Sequence, residues 1–223
     1  QIRYDIAYHN TNVNIVAVGG GYAYGSLSTS HHATEEIGML RTIPNMMVSS
    51  PSDPSEVKEV LKITSSISSP SYMRLNRSGE EQIDFISAFD PGDLHLAYRG
   101  ANKANKKAFI SNGAICNEIY KDLVQSSSSD DLYSLPIVKP LKTNKIIKKL
   151  LAYDEIIVVD EHQLIGGLGS IIQEILYDWY SYSNKSKLPK VFRIGIKDTF
   201  QSVAGNQDYL REKAGLFDYR KFL

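Results

Sequence analysis

The sequence predicts an α/β chain of two domains, each a mostly parallel sheet flanked by helices in three layers. Three observations lead there. Short β-branched apolar runs alternate with segments of helical spacing in both halves of the 223 residues. Glycine-rich bends follow two of those runs, at 19–21 and 166–169, each shortly before a helix. Between them, from about 78 to 106, periodicity fades while Gly, Pro, Asp, Asn and Lys accumulate. This divides the chain into 1–83, a linker at 84–106, and 107–223. Only eighteen residues precede Gly19, so the first domain is expected to be truncated at its N-terminus.

Residues 13–18 read as a buried strand ending in glycines. Residues 34–42 carry Ile37 and Leu40 at helical spacing, and Pro44 stops the helix. Residues 46–48 form a second strand. Asp53 caps a helix over 54–66, with Pro54 in its first turn and Glu56 reaching back as in a capping box. A third strand spans 70–76. In the second half a strand begins at Ala108 and a helix covers 114–124. Residues 126–129 form a serine-rich solvated loop, and 132–138 is extended. Thr143 caps a helix over 144–152. The apolar run 155–160 reads as the clearest buried strand. Helices at 170–179 and 208–214 and a strand at 191–196 complete the pattern.

Composition sets bounds. Twenty-five basic and twenty-five acidic side chains cancel, which argues against a dedicated nucleic-acid binder. No apolar run approaches the roughly 18 residues needed to span a bilayer, and no signal-peptide pattern opens the chain. The single cysteine, Cys116, excludes an internal disulfide framework and fits a reducing cytoplasm. It is expected to pack inside its helix.

Three constellations could carry chemistry. The run from Gly19 to Glu36 places His31 and His32 between a sharp bend and a helix. Glycines allow close approach to a ligand, and an imidazole there could hydrogen-bond an oxygen and shuttle a proton. The alternative is a tight turn with histidines at its exposed edge. The second is Arg74 and Arg77, on opposite faces of one strand. If that strand ends near Leu75, Arg77 sits at the carboxyl edge, where it could clamp a phosphate; the alternative is a surface arginine. The third is Asp160-Glu161-His162 before the second glycine run. Its spacing makes no metal site, and interface or turn hydrogen bonds are the preferred reading. His9 and His95 lie in unpatterned polar sequence and are expected to be solvated. Tyr177, Tyr180 and Tyr182 beside Trp179 read as packing or interface residues.

The ordered motifs Ser30-His31-His32-x-x-Glu35-Glu36, Met39-Leu40-Arg41-x-Ile43-Pro44-Asn45-Met46 and Pro51-x-Asp53-x-x-Glu56 resemble the pyrimidine-binding domain of transketolases. Glu161-His162-x-x-x-Gly166-Gly167-Leu168-Gly169-Ser170 resembles their C-terminal domain. The resemblance implies an enzyme that moves a two-carbon ketol unit between sugars or sugar phosphates, using thiamine diphosphate and Mg2+. It implies a catalytic role for His31 at substrate oxygens, and substrate binding by His32 and Arg77. A histidine and an aspartate found in the family's bend fall near Gly19 and Leu27, so neither function is retained. The activating glutamate and the diphosphate- and metal-binding domain have no counterpart here. The chain is therefore expected to be part of a longer or split enzyme. On its own it should hold no metal and bind the cofactor poorly. Its expected partners are a sugar substrate, a diphosphate-binding domain or subunit, and further copies in a homodimer or heterotetramer, with no nucleic acid or membrane. Deoxyxylulose-phosphate synthase and a 2-oxoacid dehydrogenase β-subunit are the alternatives among enzymes. A non-catalytic assembly module is the alternative of another class.

Overall fold

The computed structural model describes residues 1–77, 79–101, 106–183 and 187–223. A π-helical turn, Ile2–Tyr8, leads into β1 (Asn14–Val18). Then come α1 (Glu36–Arg41), β2 (Met47–Ser49), α2 (Pro54–Ser66) and β3 (Ser71–Leu75). The second half holds β4 (His95–Tyr98), β5 (Lys107–Ser111), α3 (Gly113–Gln125), β6 (Asp131–Ser134) and β7 (Ile137–Lys139). It continues with α4 (Thr143–Leu150), β8 (Glu155–Gln163), α5 (Leu168–Ser181), β9 (Lys190–Ile196) and α6 (Gln207–Lys213).

Two sheets result, ordered β1-β3-β2-β7 and β4-β6-β5-β8-β9. Pairing is parallel within β1-β3-β2 and within β6-β5-β8-β9. The end strands β7 and β4 run antiparallel to their neighbours. The expected α/β class with mostly parallel sheets holds. Two details differ from the periodicity reading. The unpatterned stretch before residue 106 contains β4, an edge strand on the second sheet. The extended stretch 132–138 is two strands, one in each sheet, with only Leu135 and Pro136 between them. That short passage joins the sheets covalently, and the Ser50 N–H bonds the Pro136 carbonyl at 2.7 Å.

β1 is an edge strand rather than a buried one: Val16 is 49% and Val18 54% exposed. β-branched residues favour a strand but do not say how many neighbours it has. Likewise Lys142, not Thr143, precedes the first turn of α4. The α2 start matches expectation. The Glu56 N–H donates to Asp53 at 2.9 Å, and the Ser52 N–H donates back to the Glu56 carboxylate at 2.8 Å.

One apolar cluster runs through both sheets. It includes Ile37, Leu40, Val48 and Tyr72 from the first half, and Ile110, Val158, Leu168 and Ile171 from the second. Each fully buried aliphatic side chain contributes roughly 1.5–3 kcal/mol, so this shared core outweighs any single polar bridge between the halves. Cys116 is buried in a second cluster, where burial pushes its thiol pKa up, as a packing role requires. Among the described residues no helix is long and apolar enough to cross a membrane.

His95 is buried, not solvated. Its Nδ1 lies 2.8 Å from the Glu56 carboxylate and its Nε2 donates to the Ser87 carbonyl at 3.0 Å. Phe85 stacks on the ring at 3.7 Å. Polar neighbours in sequence concealed this, because the partners come from α2 and from the segment before β4.

Candidate functional site

The carboxyl ends of the two sheets meet. β1 ends at Val18, level with Leu75 at the end of β3. The Gly19 and Gly20 amides both donate to the Leu75 carbonyl at 2.9 Å, turning the chain off the sheet. Gly21 and Ala33 then exchange backbone hydrogen bonds of 2.7 and 3.0 Å, closing the bend into a loop that contains both candidate histidines. Two single 3-10 turns, Gly25–Leu27 and Thr29–His31, fill that loop. Gly19 takes φ +107°, and a Cβ there would meet the Tyr24 ring at 2.5 Å. The aromatic ring thus occupies the space of a side chain at position 19.

His31 is exposed, and its Nδ1 lies 3.0 Å from the Ser30 hydroxyl. His32 is half-buried and packs edge-on against the Tyr22 ring at 4.9 Å. Its Nε2 is buried without a hydrogen-bond partner. Burial, opposed by the Gly25 backbone and by Glu35 and Glu161, holds its pKa below the ordinary histidine value. Tyr22 is itself buried, and desolvation together with Glu161 and Glu35 raises its phenol to about 12.

β3 ends at Leu75, so Arg77 stands just past the carboxyl edge, exposed and without a hydrogen bond to a described residue. Arg74 is buried instead. Its Nη2 donates to the carbonyls of Ala33 and, at 3.2 Å, Glu161. Its Nε sits 2.9 Å from Glu36 Oε1, an ion pair in which the N–H is not aimed at the oxygen. Arg74 therefore ties the bend, α1 and β8 together. The alternation of strand faces separates it from Arg77 but does not assign it this work.

Glu161 and His162 make the interface bonds that the preferred reading gave them. Glu161 accepts the Tyr22 N–H at 2.8 Å, together with Gln207 and Arg211 from α6. His162 Nε2 accepts the Gly38 N–H at 3.1 Å. Asp160 accepts the Leu168 N–H at 2.7 Å, in the first turn of α5. Sequence reading missed Gln207 and Arg211 as partners because nothing local marks them. Between these groups lies a cavity of about 20 Å³, lined by Gly20, Ser50, Arg74, Asn112 and Glu161 among others. That is room for about one water molecule. Among the described residues no group of three or more His, Cys, Asp or Glu side chains is placed to hold a metal ion.

Residues 1–80 match the family model "Transketolase, pyrimidine binding domain". The chain is 26% identical over 222 residues to an apulose-4-phosphate transketolase subunit of Actinobacillus succinogenes, covering 97% of this chain and 68% of that protein. It is 29% identical over 182 residues to the protein of the same name from Phocaeicola vulgatus, covering 79% of this chain and 57% of that one. A solved structure described as "Split gene transketolase, inactive beta4 tetramer" superposes with a TM-score of 0.75 at 28% identity, covering 96% of this chain and 65% of that chain. A 1-deoxy-D-xylulose-5-phosphate synthase of Aromatoleum aromaticum is 26% identical, but this chain covers 33% of it. The chain thus spans about 57–68% of its subunit-type relatives. Residues 1–80 belong to the transketolase pyrimidine-binding domain family, and the chain along most of its length is similar to part of the subunit-type transketolases.

Proposed function

We propose that this chain is the C-terminal portion of a thiamine-diphosphate-dependent transketolase, carrying part of the pyrimidine-binding domain and the C-terminal domain, and that the complete enzyme transfers a two-carbon ketol unit between sugar or sugar-phosphate substrates. One observation carries this reading. The bend bearing His31 and His32 and the strand end bearing Arg77 lie side by side at the carboxyl edge of one sheet. Open α/β sheets bind their ligands at that edge.

The side chains here do not by themselves make a site for a metal-bound diphosphate. No acidic cluster suited to a metal occurs among the described residues, and the acids at the junction face arginines, Glu36 with Arg74 and Glu161 with Arg211. Diphosphate and Mg2+ are therefore assigned to a separate domain or subunit. When bound, thiamine diphosphate supplies the carbanion chemistry, and the protein positions substrate and moves protons. His31, exposed and held at Nδ1 by Ser30, has Nε2 available to hydrogen-bond a substrate hydroxyl or carbonyl and transfer its proton. His32, its pKa lowered by burial, serves as a neutral ring that orients the substrate. Arg77 offers two parallel N–H donors to a phosphate. The same reading puts the enzyme in the cytoplasm as a homodimer or heterotetramer, with 1–83 and 107–223 as its two domains here.

Co-expression with a transketolase diphosphate-binding domain or subunit, followed by a ketol-transfer assay, tests the reading. Transfer from hydroxypyruvate supports it. Transfer only from pyruvate favours the deoxyxylulose-phosphate synthase alternative. Assembly without any turnover favours a non-catalytic module.

A further inference from the structure

Glu161 is supplied by the second sheet yet grips the first. It is buried, at 6% exposure. Oε1 accepts the Tyr22 N–H at 2.8 Å and Gln207 Nε2 at 3.0 Å. Oε2 accepts Arg211 Nε at 2.9 Å, Arg211 Nη2 at 2.7 Å and Gln207 Nε2 at 3.2 Å. A Cβ on Gly21 would fall 2.5 Å from the Glu161 Cγ and Cδ, and Gly21 takes φ +61°. The carboxylate therefore rests directly on the backbone of the bend, at a place where only glycine leaves room.

The connections run both ways from there. Tyr22 carries the ring packed against His32. Gln207 Nε2 also donates to Asn76 Oδ1 at 3.3 Å, and Asn76 immediately precedes Arg77. One carboxylate is thus linked to the histidine bend through Tyr22 and to the arginine strand end through Gln207. Breaking even with a hydrophobic replacement is common for buried ion pairs, so stability alone is a weak reason for one here. Its geometry is the stronger reason.

We infer that Glu161 is a positioning residue, through which the second sheet sets the placement of the His31–His32 bend and of Arg77 for substrate. The inference rests on the proposed transketolase reading for what is being positioned, but the positioning can be tested without turnover.

Hydrogen–deuterium exchange on the intact chain supplies that test. In Glu161→Gln the amide keeps an oxygen for Tyr22 but turns N–H groups toward Arg211. Exchange across 19–33 should rise about tenfold, the cost of weakening one charge-assisted bond, while 107–111 and 155–160 stay protected. Gln207→Ala, a milder change, should loosen 74–77 and leave 19–33 as it was. The His32 imidazole, followed by NMR, should titrate at lower pH in Glu161→Gln, because the Glu161 charge raises its pKa. Unchanged exchange at 19–33 overturns the inference. So does a rise shared equally by β5 and β8, which would make Glu161 an ordinary stabilising group. In the assembled enzyme Gln207→Ala should raise KM for a phosphorylated acceptor and spare kcat. An assembled wild-type enzyme without ketol transfer would overturn the functional reading, and the exchange result would still decide the positioning role.

Discussion

His162 presents its two ring nitrogens to opposite kinds of partner: Nε2 accepts the Gly38 N–H at 3.1 Å, and Nδ1 donates to the Gln163 carbonyl at 2.8 Å. A carbonyl can only accept and an amide can only donate, so these contacts require the neutral ring protonated at Nδ1. The ring is buried and bridges α1 to the end of β8.

Replacing His162 with Leu should keep much of the volume and leave the Gly38 N–H without its acceptor. The expected cost is about 1–3 kcal/mol, read as a lower denaturation midpoint in urea with an unchanged slope. An unchanged midpoint would show that water satisfies the amide equally well.

The His95–Glu56 pair should be more sensitive. Glu56 is fully buried and also accepts the Ser52 N–H and the Ser134 hydroxyl. Removing one partner of a buried pair costs roughly 3–5 kcal/mol, so Glu56→Ala should unfold far more readily than wild type. His95→Phe retains stacking on Phe85 but strands the carboxylate, and should be destabilised through the charge rather than the packing. Comparing Glu56→Ala and His95→Phe with the double variant Glu56→Ala/His95→Phe in a double-mutant cycle isolates the pair, and additive losses would contradict the coupling.

His32 gives a pH dependence with a defined sign. Its folded pKa lies below the ordinary value of 6.5, chiefly through burial. Between those two pKa values the unfolded chain binds more protons than the folded one, so stability rises with pH. This contribution is fully present above about pH 7.5 and is lost as pH falls from near 6.5 through the folded pKa. Melting temperatures from pH 8 down to about 5 should fall less steeply in His32→Gln than in wild type. Parallel curves would remove His32 from the account.

Kinetics of the assembled enzyme should separate the two proposed substrate contacts. His31→Ala should lower kcat by about 100-fold, the lower end of what a positioned acid–base contributes. Arg77→Ala should raise KM for a phosphorylated acceptor by roughly 10- to 100-fold and leave an unphosphorylated one nearly unchanged. Equal effects of Arg77→Ala on both acceptors would point away from phosphate.

Much of the fold was legible because local patterns carry it. The alternation of apolar runs and helical spacing located most strands and helices, and Asp53-Pro54-Ser55-Glu56 marked the start of α2 to the residue. The candidate site was legible in part. Glycines, paired histidines and an arginine at a strand end announce themselves by type and order. His95 was misread because burial depends on neighbours remote in sequence. Arg74 was noticed only for its strand face, since nothing local distinguishes an arginine buried against Glu36 and the Ala33 carbonyl from one in solvent.

By itself the sequence determined the α/β class, the histidine bend and its place before a helix, and the family these motifs resemble. These depend on periods of a few residues and on backbone preferences that act locally. Only the tertiary structure decided that β1 stands at an edge, that β6 and β7 part into different sheets, and that Glu161 reaches Tyr22 across 139 positions of the chain. Those outcomes turn on which strands become neighbours and on which buried donors need an acceptor. Both are settled by the packing of the whole chain rather than by any segment of it.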